Sequence, residues 1–229
     1  MKRNFLKACA FLCVFYLLST PNSISFPHSK GFRVNQSTPD IFLFAVYYDV
    51  QNPLSLEKLQ KTLDQGSQEF EAETGYRILF TKPQPMRVSP WSSLDEIRLR
   101  SDMRNSIIKW DGHLFVSNRT EISTEVKVMQ LIDFFGGWKR NADNSTRFYG
   151  LTRKDIRTIA MFDFNLQANL SNAGLKNVAT CTLKHEILHY FGVDHNNSED
   201  SIMFWNADKS HGKFLAEDQT ALQTQRMLR

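Results

Sequence analysis

Cysteine is almost missing from this 229-residue chain: Cys9 and Cys13 sit near the start, and only Cys181 follows them. One thiol cannot close an internal disulfide, so the remaining chain must fold on apolar burial alone, which a domain of about 200 residues can do. Long apolar runs are lacking as well. The stretch from Ala8 to Leu18 is well short of the ~20 apolar residues that span a bilayer, so no stable membrane span is expected. Surplus basic charge is also scarce. The formal +4 owes three charges to Lys2, Arg3 and Lys7, and beyond residue 25 there are 25 basic residues against 24 acidic ones. Phosphate binding needs a concentrated basic surface, so nucleic acid is not an expected partner. No internal repeat, low-complexity tract or linker divides the chain.

What the N-terminus does have is a secretory pattern. A positive start is followed by the apolar run, and Ser23-Ile24-Ser25 offers small residues for cleavage. Residues 1–25 read as a signal peptide, 26–40 as a leader without regular structure, and the destination as secreted, either extracellular or periplasmic. Asn35, Asn118, Asn144, Asn169 and Asn196 each begin an N-x-Ser/Thr sequon, which matters only in a eukaryotic secretory pathway.

Histidine is rare too, with six in all, yet three of them fall within eleven residues. The run is His185-Glu186-Ile187-Leu188-His189-Tyr190-Phe191-Gly192-Val193-Asp194-His195. At this chain's composition, the five fixed positions would coincide by chance in roughly one chain in a hundred thousand, so a surface-histidine explanation is set aside. On a helix, residues four apart share a face, so His185 and His189 can both reach one zinc ion at about 2.0–2.1 Å. Gly192 can take positive φ, end the helix and turn the chain back. His195 then arrives as third ligand. Three protein ligands leave a zinc position open for water, the arrangement of a catalytic site, and Glu186 is placed to act on that water as general base. Cys181 lies one helical turn before His185 and reads as a small buried thiol.

The pattern H-E-x-x-H-x-x-G-x-x-H resembles that of the metzincin clan of zinc endopeptidases. Met203, eight residues after His195, matches the clan's methionine-bearing turn, and the run from His195 to Met203 resembles the matrixin family, in particular its compact bacterial-type members. Leu151 to Ile156 and Leu215 to Gln223 look similar in a weaker way, so the resemblance covers about residues 150–225. It implies an α+β, metzincin-like zincin fold, with a mixed twisted sheet, an active-site helix and a small C-terminal subdomain. The catalytic domain would be 41–229, split into subdomains 41–192 and 193–229. Implied roles are zinc ligation by His185, His189 and His195, general-base catalysis by Glu186, and support of the site by Gly192 and Met203. The implied activity is zinc-dependent cleavage of a protein or peptide substrate by a monomer. A secreted non-catalytic zinc module, or a peptidase restricted to small peptides or cell-wall cross-links, are the alternatives.

Departures from the clan's branches narrow this. Matrixins usually continue Tyr-Pro-x-Tyr after the methionine and use it to wall the S1′ pocket, whereas here the chain runs Phe204-Trp205-Asn206-Ala207. Astacins and serralysins place a ligating tyrosine where Trp205 stands. Archaemetzincins share the eight-residue spacing but carry cysteines at the positions of Asn196 and Ser201. Animal matrixins hold a second zinc with several loop histidines, and only His28, His113 and His211 lie outside the motif, so one zinc is expected. Cysteine-switch latency is excluded, since no cysteine lies between residues 26 and 180. Asp163 and Asn165 offer oxygens to calcium, with nothing else in support.

The remaining elements follow from pattern. Ile41–Val50 is β-branched and aromatic, a central strand. Ser55–Thr74 has helical apolar spacing with Gly75 as stop. Tyr76–Thr81 and His113–Val116 read as strands, Ser92–Lys109 as a helix, and Ile156–Phe164 as a last strand near the cleft. Residues 121–135 fit either a strand or a helix, and 165–177 reads as a loop.

Overall fold

A computed structural model of the protein describes residues 40–88, 93–104, 109–119, 149–206 and 209–227. The expected signal peptide, the leader up to residue 39, His28 and the ambiguous stretch 121–135 lie outside the described residues. The elements are β1 (Ile41–Asp49), α1 (Leu56–Thr74), β2 (Arg77–Phe80), β3 (Gln84–Met86), α2 (Leu94–Arg104), β4 (Gly112–Val116), β5 (Gly150–Arg153), β6 (Thr158–Met161), α3 (Phe164–Gln167), α4 (Val178–Phe191) and α5 (Ala216–Met227).

The six strands form one mixed sheet in the order β2-β1-β4-β6-β5, with β3 pairing β1 beyond the end of β2. All pairings are parallel except β5 with β6. Strand alternation sorts the core into two layers. Phe44, Val46, Leu114, Val116, Ile159 and Met161 face a cluster that includes Leu59 and Leu63 of α1 and Leu183 and Ile187 of α4. Ala45, Tyr47, Phe115 and Ala160 point to the opposite side, against Leu94 and Ile97 of α2. Parallel strands covered on both faces carry near-continuous apolar sequence, which is why β1 and β4 stand out in the chain.

The helix ends are set by the expected devices. Ser55 caps α1 by accepting from the Lys58 amide, and Gly75 closes it at φ 77°. Asp49, wholly buried at the end of β1, accepts from the Gln51 amide at 2.9 Å and from Asn52 Nδ2 at 2.7 Å, turning the chain toward α1. Two expectations need correction. The last strand is only Thr158–Met161, because Asp163 takes a left-handed conformation (φ 48°) and starts the short helix α3, which runs from Phe164 into the segment expected to be loop. β3, β5 and α5 were not anticipated. Among the described residues no helix is long and apolar enough to cross a membrane.

Candidate metal centre

α4 opens on Asn177, whose side chain accepts from the Thr180 amide at 3.2 Å, a helix N-cap. It ends on Gly192 at φ 101°, with the Gly192 amide bonded to the His189 carbonyl and the Val193 amide to the Leu188 carbonyl. That pair of bonds is a Schellman closure, and it turns the chain so that His195 faces the helix it has just left. The Nε2 atoms of His185 and His189 each lie 3.1 Å from Nε2 of His195. The three rings are the one His/Cys/Asp/Glu group among the described residues with metal-holding geometry.

Two of the rings are oriented from behind. His185 Nδ1 donates to the Ile202 carbonyl at 2.7 Å and His189 Nδ1 to the Val193 carbonyl at 2.7 Å. Carbonyls only accept, so each Nδ1 carries the ring hydrogen and each Nε2 keeps its lone pair. Three nitrogens this close cannot all be satisfied by one shared hydrogen. A cation among them satisfies all three, and a tetrahedral zinc with bonds of 2.0–2.1 Å needs nitrogens about 3.3 Å apart. The residues fit zinc. Burial holds the His185 ring at a pKa of about 3, with the neighbouring His189 pushing the same way, and burial with His195 holds His189 at about 4. His195, though exposed, is also lowered by partial desolvation. All three are neutral at pH 7, the ligating form.

Glu186 leaves α4 beside this triad and is buried, 4% exposed. Burial raises its carboxyl to about 7, opposed by a hydrogen bond from Thr152 of β5. Thr152 Oγ1 lies 2.6 Å from Glu186 Oε2 and 2.9 Å from the Glu186 carbonyl. Two residues earlier on the same strand face, Gly150 leaves room for the carboxylate: a Cβ there would fall 2.6 Å from Glu186 Cγ. The strand touching Glu186 is thus β5, at the edge of the sheet, while the last strand, β6, lies inside it between β4 and β5. The pattern Gly-Leu-Thr-Arg is too short and too half-buried to have marked this strand.

Met203 is fully buried, and the turn that carries it meets the triad through a backbone group, the Ile202 carbonyl. A buried carboxylate, Asp218, pins that turn. It accepts from Ser201 Oγ at 2.9 Å, from Asn196 Nδ2 at 2.8 Å and from the Leu215 amide at 2.9 Å, which joins the start of α5 to the segment between His195 and Met203. Asn196 and Ser201 are themselves 2.6 Å apart. Hydrogen bonds therefore occupy the two positions where archaemetzincins carry cysteine. Of the expected site residues, His185, His189 and His195 come together, Glu186 stands on the same helix and Gly192 ends it, and Met203 is buried in the turn that follows; Ile202, Val193, Thr152, Gly150 and Asp218 were not foreseen.

The two described histidines outside the motif are engaged elsewhere. His113 is buried against Ser101 Oγ at 2.7 Å, and His211 pairs with Asp200 at 2.7 Å. Cys181 is buried, and its thiol is pushed up to about 11 by that burial. The Asn165 side-chain oxygen accepts from the Ser55 amide at 3.1 Å, so it serves a chain turn.

Sheet order, zinc-type helix and returning histidine together make a metzincin-like zincin fold. Solved structures share it. Archaemetzincin from Methanopyrus kandleri is 16% identical, with 85% of this chain and 99% of that one covered and a TM-score of 0.53. Metalloproteinase-II from Bacteroides fragilis is 10% identical, with a TM-score of 0.52; 84% of this chain is covered but 55% of the other, so the match spans about half of that protein. These likenesses show the shared fold and do not support the matrixin family in particular. No protein-family model matches the chain, and no curated protein matches its sequence.

Proposed function

We propose that this protein is a secreted, monomeric zinc-dependent endopeptidase in which His185, His189 and His195 hold the metal and Glu186 is the general base. The observation that carries the reading is the convergence of three Nε2 atoms, two of them fixed as lone-pair donors by Nδ1 bonds to the Ile202 and Val193 carbonyls, beside a buried carboxylate. The shared fold with a metalloproteinase supports it. Bound at the triad, zinc supplies a Lewis acid that polarises a carbonyl and makes water acidic near neutrality.

The chain's own residues then do the proton work. Glu186 accepts a proton from the attacking water and returns it to the leaving amine. A carboxyl held near 7 by burial suits a group that must both take and release a proton near neutral pH. The carbonyls of Ile202 and Val193 keep two rings from turning away while this happens. The apolar stretch behind the basic N-terminus supports export.

The test is a casein digest with zinc measured by atomic absorption. Wild-type protein should carry one zinc per chain and lose activity to a chelator. Glu186→Gln should keep the zinc and lose turnover by about 10²–10⁴-fold, the usual worth of general acid–base catalysis. Digestion that survives complete metal removal, or a fully active Glu186→Gln, would overturn the reading. Export predicts that protein recovered from the medium or periplasm begins near residue 26, which intact mass reads directly.

A further inference from the structure

β5 presents two side-chain positions to Glu186, and both are shaped around its carboxylate. Gly150 and Thr152 are two residues apart on a strand, so they share one face. At Gly150 any Cβ would overlap the Glu186 side chain, with Oε1 nearer still than Cγ at 2.6 Å. At Thr152 the hydroxyl meets Oε2 at 2.6 Å and the Glu186 carbonyl at 2.9 Å. One wall is cut away and the other donates a hydrogen bond.

Left alone, a glutamate has three side-chain torsions and would visit several rotamers. A general base must hold its oxygen within reach of one proton, and a misplacement of about 1 Å can cost roughly 100-fold in rate. We propose that Thr152, with the space left by Gly150, is the positioning residue that fixes the Glu186 carboxylate for proton transfer. This rests on the metallopeptidase reading above. The hydroxyl has two acceptors in reach and one hydrogen. Holding the side-chain oxygen and the backbone carbonyl of one residue with a single strand side chain ties the Glu186 carboxylate to β5 in one orientation.

Thr152→Val keeps the branched shape and strand preference but deletes the hydroxyl. Zinc-loaded Thr152→Val should keep one zinc per chain and lose about 10–100-fold in kcat on a fluorogenic peptide, with KM within about twofold, since positioning acts on the chemical step. Thr152→Ser should recover most of the loss. Gly150→Ala, which narrows the same slot from its other wall, should also lower kcat with zinc retained, and it covers the case in which Thr152→Val does not fold. Unchanged kcat in both variants, or a loss that falls on KM and is not rescued by serine, overturns the proposal. A crystal structure of zinc-loaded Thr152→Val decides it without reference to activity: Glu186 in its wild-type rotamer refutes the positioning role, and a displaced or multiple-rotamer carboxylate supports it. If the wild type proves inactive on peptides, that finding removes the function proposed above while the rotamer result still judges Thr152.

Discussion

Lys184 stands next to His185 on the metal helix, yet its side chain runs the other way, into the interface with α1. It is fully buried, and its ammonium lies 2.7 Å from Glu69 and 3.0 Å from Glu73. Burial would lower the Lys184 pKa, but the Glu69 hydrogen bond and the Glu73 charge outweigh it, so the value rises above 10.5. Burial would raise Glu69, but the bonds from Lys184 and Gln65 bring it below 4.5. The signs fix the pH window. Glu69's contribution is complete above about 4.5 and is lost as pH falls through its lower folded value. Lys184's contribution is complete below about 10.5 and is lost as pH rises through its higher one. Lys184→Met should therefore lower the urea midpoint at pH 7 and flatten the fall in stability between pH 5 and 3. An acid limb as steep as that of the wild type would show that Glu69 does not depend on Lys184. Because the glutamates are a quarter to a third exposed, water takes over part of the lost partner's role, and the cost should stay below that of breaking a fully buried pair.

At the scale of elements, the junction between α4 and the returning chain depends on one glycine. Gly192 sits at φ 101°, where an L-residue is strained by about 1–2 kcal/mol, and a Cβ there would also meet the Gln225 side chain of α5 at 2.8 Å. Gly192→Ala should lower the Tm by several degrees and, because His195 lies three residues on, weaken zinc binding as well; a variant with wild-type zinc affinity would show that His195 is placed independently of the helix stop. This junction was legible in the sequence because it is local: ligands one helical turn apart, a glycine at the stop, a third ligand just past it. β1, α1 and β4 were legible for the same reason, through their runs of apolar residues and caps. β5 was not. It has four residues, none fully buried, which is too short a run for an alternation to show, although it pairs with β6 across a short connection. α5 was missed because its sequence is mostly polar, and its decisive residue, Asp218, looks like any acidic residue in a first turn until the Asn196 and Ser201 contacts place it in the interior. Thr152 acquires its meaning from the Glu186 side chain, 34 positions away in sequence.

For the whole molecule the consequence is that metal and fold should be linked. His185 and His189 come from a helix packed against the sheet, whereas His195 belongs to the chain that Asp218 ties to α5, so a single ion would add a tie between parts already joined by the Gly192 turn, by the hydrogen bond from His185 to the Ile202 carbonyl and by packing. An ion that binds only the folded form stabilises it by mass action, about 2.7 kcal/mol when free zinc is 100-fold above its dissociation constant. In a domain of this size 1 kcal/mol moves the Tm by about 2–4 °C, so zinc should raise it by roughly 5–11 °C. The ligands are already neutral at pH 7, so binding there need not displace their protons. His189→Ala should abolish the zinc-dependent rise, while Glu186→Gln, which removes the carboxylate proposed as base and keeps the three histidines, should show it in full. Thermal melts of the three proteins with zinc and with chelator therefore separate holding the metal from using it. If Glu186→Gln lost the rise along with His189→Ala, Glu186 would belong to the binding of the ion, and its part in proton transfer would have to be given up.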